Sequence, residues 1–131
     1  MNYKYKVYKE YTVDQIIPII QESIPIKKDK IKSKFVTDEG EFNVKINSLR
    51  LKCFANNLSC VKCGVTGNVF RLETPLKNPS NPHLNLYHCQ SDNLVLMTKD
   101  HIKPVSKGGK DHLSNLQTMC NICNEAKANQ E

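Results

Sequence analysis

Two short cysteine pairs constrain this chain more than any other feature. Cys60-Val61-Lys62-Cys63 and Cys120-Asn121-Ile122-Cys123 are Cys-x-x-Cys turns set far apart in 131 residues. Each turn presents two sulfurs from one bend, and four thiolates from two such turns suit tetrahedral Zn²⁺. A single pair would equally fit a thioredoxin-like redox motif; two pairs in one small chain point to a structural metal. No apolar signal region follows Met1-Asn2-Tyr3-Lys4-Tyr5-Lys6. A reducing, cytoplasmic setting is therefore expected, and a disulfide framework is not. Cys53 and Cys89 stand apart from the pairs and read as a buried apolar residue and a loop thiol.

The length is that of one domain, or of a small module with an N-terminal appendage. No apolar run approaches the roughly 18 residues that a membrane helix requires. The net charge is +6 and the isoelectric point is near 9.0. An excess of this sign favours a polyanion such as nucleic acid, although many lysine-rich proteins bind none. Lys27 to Lys34 is a basic run, either a solvated linker or a phosphate-contacting arm. Tyr3, Tyr5, Tyr8 and Tyr11 alternate with Lys4, Lys6 and Lys9. That interleaving fits single-stranded nucleic acid, and fits an edge strand with one aromatic face equally well.

Thr12 with Gln15 three residues later forms a capping box that opens a helix over Ile16, Ile17, Ile19, Ile20 and Ile24, disturbed by Pro18. Phe35-Val36-Thr37 and Phe42 to Ile46 flank a glycine-containing turn and predict a β-hairpin. Ser48 is placed to cap a helix through Leu49, Leu51, Phe54 and Ala55. Beyond the first knuckle, Val69 to Glu73 predicts a strand. Residues 74–93, with Pro75, Pro79 and Pro82, read as a long polar loop carrying His83 and His88 as exposed groups. Leu94 to Thr98 predicts a second strand ending near Asp100 and His101. A glycine-rich loop follows, with His112 as a turn residue. A C-terminal helix is expected from about Met119.

The most informative stretch is Asp100-His101-Ile102-Lys103-Pro104, then Gly108-Gly109, Asn115-Leu116-Gln117, and Cys120-x-x-Cys123-Asn124-x-x-Lys127. It resembles the HNH endonuclease motif, in the subclass whose core is stapled by four cysteines. The resemblance runs from Cys60 to Lys127. It implies an α+β fold with a ββα-metal (HNH, His-Me finger) core, a four-cysteine zinc site and a small N-terminal α/β appendage. The expected division is an appendage over 1–52, for DNA binding or partner docking, and a nuclease domain over 53–131.

The resemblance also implies roles. His101 would be the general base and Asp100 a ligand to a catalytic Mg²⁺ or Mn²⁺. Asn115 would brace the loop and orient the base, and Asn124 would stand at the third motif position, as second metal ligand or helper. Cys60, Cys63, Cys120 and Cys123 would hold the zinc. Independently of family, imidazole is the side chain whose ordinary pKa, about 6.5, suits proton abstraction near neutrality. A carboxylate oxygen is a hard donor suited to Mg²⁺. Adjacent residues on an extended strand point oppositely, so a bend or bulge is expected if Asp100 and His101 are to serve one site. Lys127, at i+3 from Asn124, could contact phosphate or be solvated; Lys103, Lys107 and Lys110 could grip the backbone or be ordinary surface charge.

The function these features imply is metal-dependent hydrolysis of DNA phosphodiesters. The alternative is a zinc module that binds nucleic acid or protein without chemistry. DNA is the expected partner and a membrane is not; a homodimer or a protein partner at the N-terminal segment stays open. The high Lys, Asn and Ile content fits an AT-rich genome, such as that of a phage, with the protein in its host's cytoplasm, or of a low-GC bacterium.

Overall fold

The computed structural model describes residues 4–23 and 30–128. Tyr3, Ile24 and the start of the basic run, Lys27 to Asp29, lie outside the described residues. β1 (Tyr5–Thr12) leads into α1 (Val13–Glu22), and β2 (Lys32–Thr37) pairs with β3 (Gly40–Lys45). Then follow α2 (Leu49–Asn56), β4 (Val69–Pro75), β5 (His83–Gln90), β6 (Asn93–His101), β7 (Leu116–Cys120) and α3 (Asn121–Ala128). Five strands form one antiparallel sheet in the order β1-β4-β5-β6-β7. The fold is α+β, and its C-terminal β6-β7-α3 unit is the ββα arrangement.

Local chemistry accounts for the N-terminal elements. Gln15 N–H donates to Thr12 Oγ1 at 3.2 Å, while Thr12 N–H donates to Gln15 Oε1 at 2.8 Å, closing the capping box. Pro18 is accommodated inside α1, which turns Ile16 and Ile20 inward one helical turn apart. Ser48 Oγ accepts the Leu51 N–H at 3.2 Å and starts α2. The β2–β3 hairpin turns at Gly40, whose φ of 126° is open to glycine and costly for other residues. Its aromatic residues meet β1: Tyr8 packs on Phe42 at 4.7 Å between centroids, and Tyr11 meets Phe35 edge-on at 5.4 Å. Those two tyrosines therefore serve as the packing face of an edge strand. β1 itself pairs with β4 and so ties the N-terminal segment into the same sheet as the C-terminal elements.

Two expectations need correction. Residues 74–93 are not one long loop, because β5 occupies His83–Gln90 and only 76–82 is irregular connection. Pro79 and Pro82 fall in that connection, while Leu84 and Leu86 alternate into the core at 1% and 0% exposure. Polar residues between them conceal the alternation: Asn85 is consumed in a buried hydrogen bond rather than solvated. His83 and His88 accordingly sit on a strand, with His88 Nδ1 2.7 Å from Thr66 O, and Cys89 is a strand thiol. The C-terminal helix begins at Asn121 rather than Met119, since Leu116–Cys120 pairs with β6 as β7.

The sheet has two unlike faces. Phe70, Leu72, Leu84, Leu86 and Met97 pack with Ile16, Ile20, Leu51 and Phe54 of α1 and α2 in one buried cluster. The opposite face carries α3 over β6 and β7. Phe54 is 0% exposed at the centre of the cluster. Phe54→Ala should cost about 3–5 kcal/mol, read as a lower urea midpoint with unchanged slope; a loss below about 1 kcal/mol would contradict this core.

Candidate active site

The four knuckle cysteines converge. Their Sγ atoms all lie within 4.8 Å of one another, and Cys63 Sγ is 3.8 Å from Cys120 Sγ. Tetrahedral zinc with Zn–S near 2.3 Å has sulfur–sulfur edges of about 3.8 Å, so the donor set and spacing fit the ion. The first knuckle is shaped by Gly64, at φ 82°, whose N–H donates to Cys60 O at 2.9 Å. Val61 N–H donates to Thr118 O at 3.0 Å, pinning that knuckle to the outer edge of β7. The second knuckle spans the β7–α3 junction. Metal held here would fasten α3 at a set angle across β6.

The four thiols perturb one another. Burial pushes the Cys60 thiol up, but backbone N–H groups of Cys63, Cys120 and Lys62 outweigh it and bring its pKa down to about 6. Cys123 is pushed up to about 12, first by its hydrogen bond with Cys120, then by burial and its contacts with Cys63 and Cys60. Four crowded sulfurs share protons; a bound dication lets them ionise together. Cys53 stays apart, buried with its Sγ 3.6 Å from Thr118 Oγ1.

Asp100 and His101 end β6. The β6–β7 register runs without a shift from Met97↔Cys120 to His101↔Leu116, so the anticipated bulge is absent from this ladder. The two side chains accordingly leave opposite faces. Asp100 Oδ2 accepts from Gln117 Nε2 at 2.8 Å and from Lys127 Nζ at 2.7 Å, on the α3 side. Lys127 Nζ also donates to His101 O at 2.9 Å, so this lysine is turned inward onto the strand end. Asn124 shares the same side. Thr98 Oγ1 donates to Met119 O at 2.8 Å and accepts from Asn124 Nδ2 at 2.8 Å. With its own proton committed, the hydroxyl can only accept from Asn124, so the Asn124 carbonyl oxygen is the atom of that side chain that could hold a cation.

His101 faces the loop. Its Nε2 is 3.1 Å from Asp111 Oδ1, and Lys99 Nζ lies 3.7 Å from the same oxygen. The His101 contact first, and Lys99 second, hold the Asp111 carboxyl below the usual range. Asn115 closes the loop: its Nδ2 donates to Lys103 O at 3.1 Å and Lys110 O at 2.8 Å, and its Oδ1 accepts Lys103 N–H at 2.9 Å. Lys103, Lys107 and Lys110 are exposed around this loop. His112 Nδ1 accepts the Ser114 N–H at 3.2 Å and caps the turn before β7.

Three contributing residues have no role assigned from the sequence: Thr98, which turns Asn124; Gln117, quoted within the motif, which holds Asp100; and Asp111, which holds His101. The strand register supplies the missing signal for two of them. Thr98 lies two residues from Asp100 on one face, and Gln117 is its cross-strand partner.

With this geometry in place, comparison with known proteins gives a consistent class. The model of the HNH endonuclease family matches residues 87–130, which run from the end of β5 past α3. The likeness covers the ββα unit, and two of the four cysteines of the cluster fit for zinc, Cys120 and Cys123, fall within it. No curated protein and no solved structure matches the chain.

Two outcomes check this site. A Cβ added at Gly109 would lie 1.8 Å from Lys103 O, so Gly109→Ala must open the loop. Limited proteolysis should then cut within 103–110 faster than in the parent, and equal protection would refute the tight closure. Native mass spectrometry should find one zinc per chain. Chelation or Cys120→Ser should release it and loosen α3, seen as lost helical circular dichroism; a fully helical, metal-free protein would refute the staple.

Proposed function

We propose that this protein is a metal-dependent endonuclease that hydrolyses DNA phosphodiester bonds, with His101 as general base. The observation that supports the reading is the placement of Asp100 and His101 at the end of β6, with Asn124 on α3 packed over the Asp100 face, inside the residues that match the HNH family. With Asp111 ionised, Nε2 of His101 is the protonated nitrogen, and Nδ1 is left as the acceptor for a proton from water. The water oxygen attacks phosphorus, the bond to the 3′-oxygen breaks, and 5′-phosphate and 3′-hydroxyl ends result. Asp100 and the Asn124 carbonyl oxygen offer hard donors that would hold Mg²⁺ or Mn²⁺. Such an ion supplies charge neutralisation for the leaving oxygen. Asn115 keeps the loop closed so that Asp111 stays beside the base.

Lys103, Lys107 and Lys110 would hold the DNA backbone from the exposed loop, giving affinity that falls with salt and carries little sequence information. Residues 1–52 would contribute sequence preference or partner docking to the module over 53–131. Among the described residues no helix is long and apolar enough to cross a membrane. A second reading, a zinc module without chemistry, is favoured by one contact: Lys127 Nζ takes the Asp100 oxygen that a catalytic cation would use.

Supercoiled plasmid separates the two. The zinc-loaded protein with Mg²⁺ or Mn²⁺ should nick or linearise it, and His101→Ala should lose at least about a hundredfold of that rate while keeping its fold and DNA affinity. Equal cleavage by the variant would remove His101 from the base role. Salt-sensitive binding without cleavage by the parent protein would favour the second reading.

A further inference from the structure

The β2–β3 ribbon turns one face inward and leaves the other open. Its inner cross-strand pairs are Ser33 with Val44, Phe35 with Phe42 and Thr37 with Gly40, and Phe35 and Val44 are buried in the core. Its outer pairs are Lys32 with Lys45, Lys34 with Asn43 and Val36 with Glu41, and all six of these residues are exposed. Lys30, two residues before Lys32, is exposed as well. Lys32 to Lys34 of the basic run are therefore strand and not linker, and the period of two sets their charges on one surface.

The charges of that surface are unbalanced. Residues directly opposite on antiparallel strands hold their β-carbons about 5 Å apart, and like charges placed so repel. Lys32 and Lys45 are such a pair, and among the described residues neither forms an ion pair. Lysines nearby are matched with acids: Lys6 with Glu39 at 2.7 Å, and on the outer face itself Lys34 with Glu41 at 3.4 Å. The repulsion is held in place from beneath. Tyr8 packs on Phe42, Tyr11 meets Phe35, and Asn81 Nδ2 donates to Asn43 O at 2.8 Å. Two opposed, unpaired ammonium groups on an anchored ribbon are relieved by an anion from outside the chain.

The chemistry of the face selects that anion. None of the six outer residues is Trp, Tyr or Arg, the side chains that anchor protein interfaces. Val36 is the one apolar side chain among them, too little for a lipid surface. Lysine is a compact point charge that neutralises phosphate without reading bases. We propose that the outer face of the β2–β3 ribbon binds the phosphate backbone of duplex DNA through Lys32 and Lys45, while Glu41 restrains Lys34 beside them. The position suits a duplex that also meets the loop after His101. Tyr11, which holds the ribbon, pairs with Phe70, and His101 alternates with Met97. Phe70 and Met97 share the cluster under α1 and α2, so the ribbon and His101 lie on the same side of the sheet. β6 is three strand spacings from β1, about 14 Å, well within one turn of duplex, about 34 Å. The inference rests on the nuclease reading for the choice of DNA among polyanions, and it gives part of residues 1–52 a role in affinity.

Binding can be measured without cleavage. The zinc-loaded His101→Ala protein is titrated with two fluorescent duplexes of unrelated sequence between about 50 and 200 mM KCl. Each phosphate contact contributes about 0.9 to the slope of log affinity against log salt. Lys32→Gln with Lys45→Gln should make that slope shallower by about two, equally on both duplexes. Glu41→Gln releases Lys34 and should steepen the slope by about one with tighter binding, a gain that a misfolded variant does not give. Asp92→Asn removes the same charge at the β5–β6 turn, at the far end of β6 from His101, and should leave the slope as it was. A slope unmoved by the lysine variants, a loss confined to one duplex, or equal shifts from Glu41→Gln and Asp92→Asn would overturn the assignment. An acidic protein as the true partner would give the first of these results. Plasmid cleavage by the wild type is scored separately. A slope set by the ribbon without cleavage sinks the nuclease reading alone, and cleavage with an unmoved slope sinks the ribbon alone.

Discussion

The four-cysteine cluster is the constraint on which the rest of the site depends. β7 is only five residues long and lies at the sheet edge, and α3 has eight residues with no side chain in the buried class. Helices of two turns are marginal in water without tertiary support. Besides the knuckles, α3 is held to β6 by polar contacts alone, from Asn124 to Thr98 and from Lys127 to Asp100 and the His101 carbonyl. Cys120 ends the strand and Cys123 lies in the first turn of the helix, which makes the β7–α3 corner one side of the cluster. Cys60 and Cys63 form the other side, already attached to β7 through Val61. Metal thiolate bonds at that corner would therefore fix the direction of α3, and with it the places of Asn124 and Lys127 relative to Asp100.

A second constraint acts on the other side of β6. The loop after His101 contains no buried residue, and its form comes from backbone turns over 104–109 and from hydrogen bonds made by the Asn115 side chain. Asn115 satisfies Lys103 on both its N–H and its carbonyl and then reaches Lys110, drawing the two ends of the loop together. Only a residue without Cβ fits where the loop closes, which is why Gly109 stands there. The two halves of the site thus rest on different physics: a sulfur cluster fit for metal behind α3, and amide hydrogen bonds behind His101. Damage to one half need not disturb the other.

The sequence was legible wherever a residue acts through its immediate neighbours. The Thr12–Gln15 box, the Ser48 cap, the β2–β3 turn and the paired cysteines each follow from short spacings. β5 was hidden because Asn85 and Tyr87 look like loop residues until Glu73 and Arg50, far away in sequence, are seen to satisfy them. β7 was hidden because five residues between a turn and a knuckle carry too little periodicity to declare a strand. The motif order identified Asp100, His101, Asn115 and Asn124, but not how each is held. Thr98, Gln117 and Asp111 act across a ladder or a loop, and that relation exists only once the register is known.

The placement of Asp100 and His101 on opposite faces changes what the site requires of its substrate. A flat surface cannot present both groups to one phosphate, whereas the end of a strand can, because the backbone stops at His101 and both faces meet there. Lys127 marks that meeting point by touching Asp100 Oδ2 and His101 O together. An ammonium there balances the buried part of the Asp100 charge, and a divalent cation on the same oxygen would have to displace it. Displaced, the lysine remains tethered to the last turn of α3, close enough to pair with an incoming phosphate. The solvated reading of Lys127 is thereby corrected, because its ammonium is bound at the strand end, and a phosphate contact would require its release from Asp100.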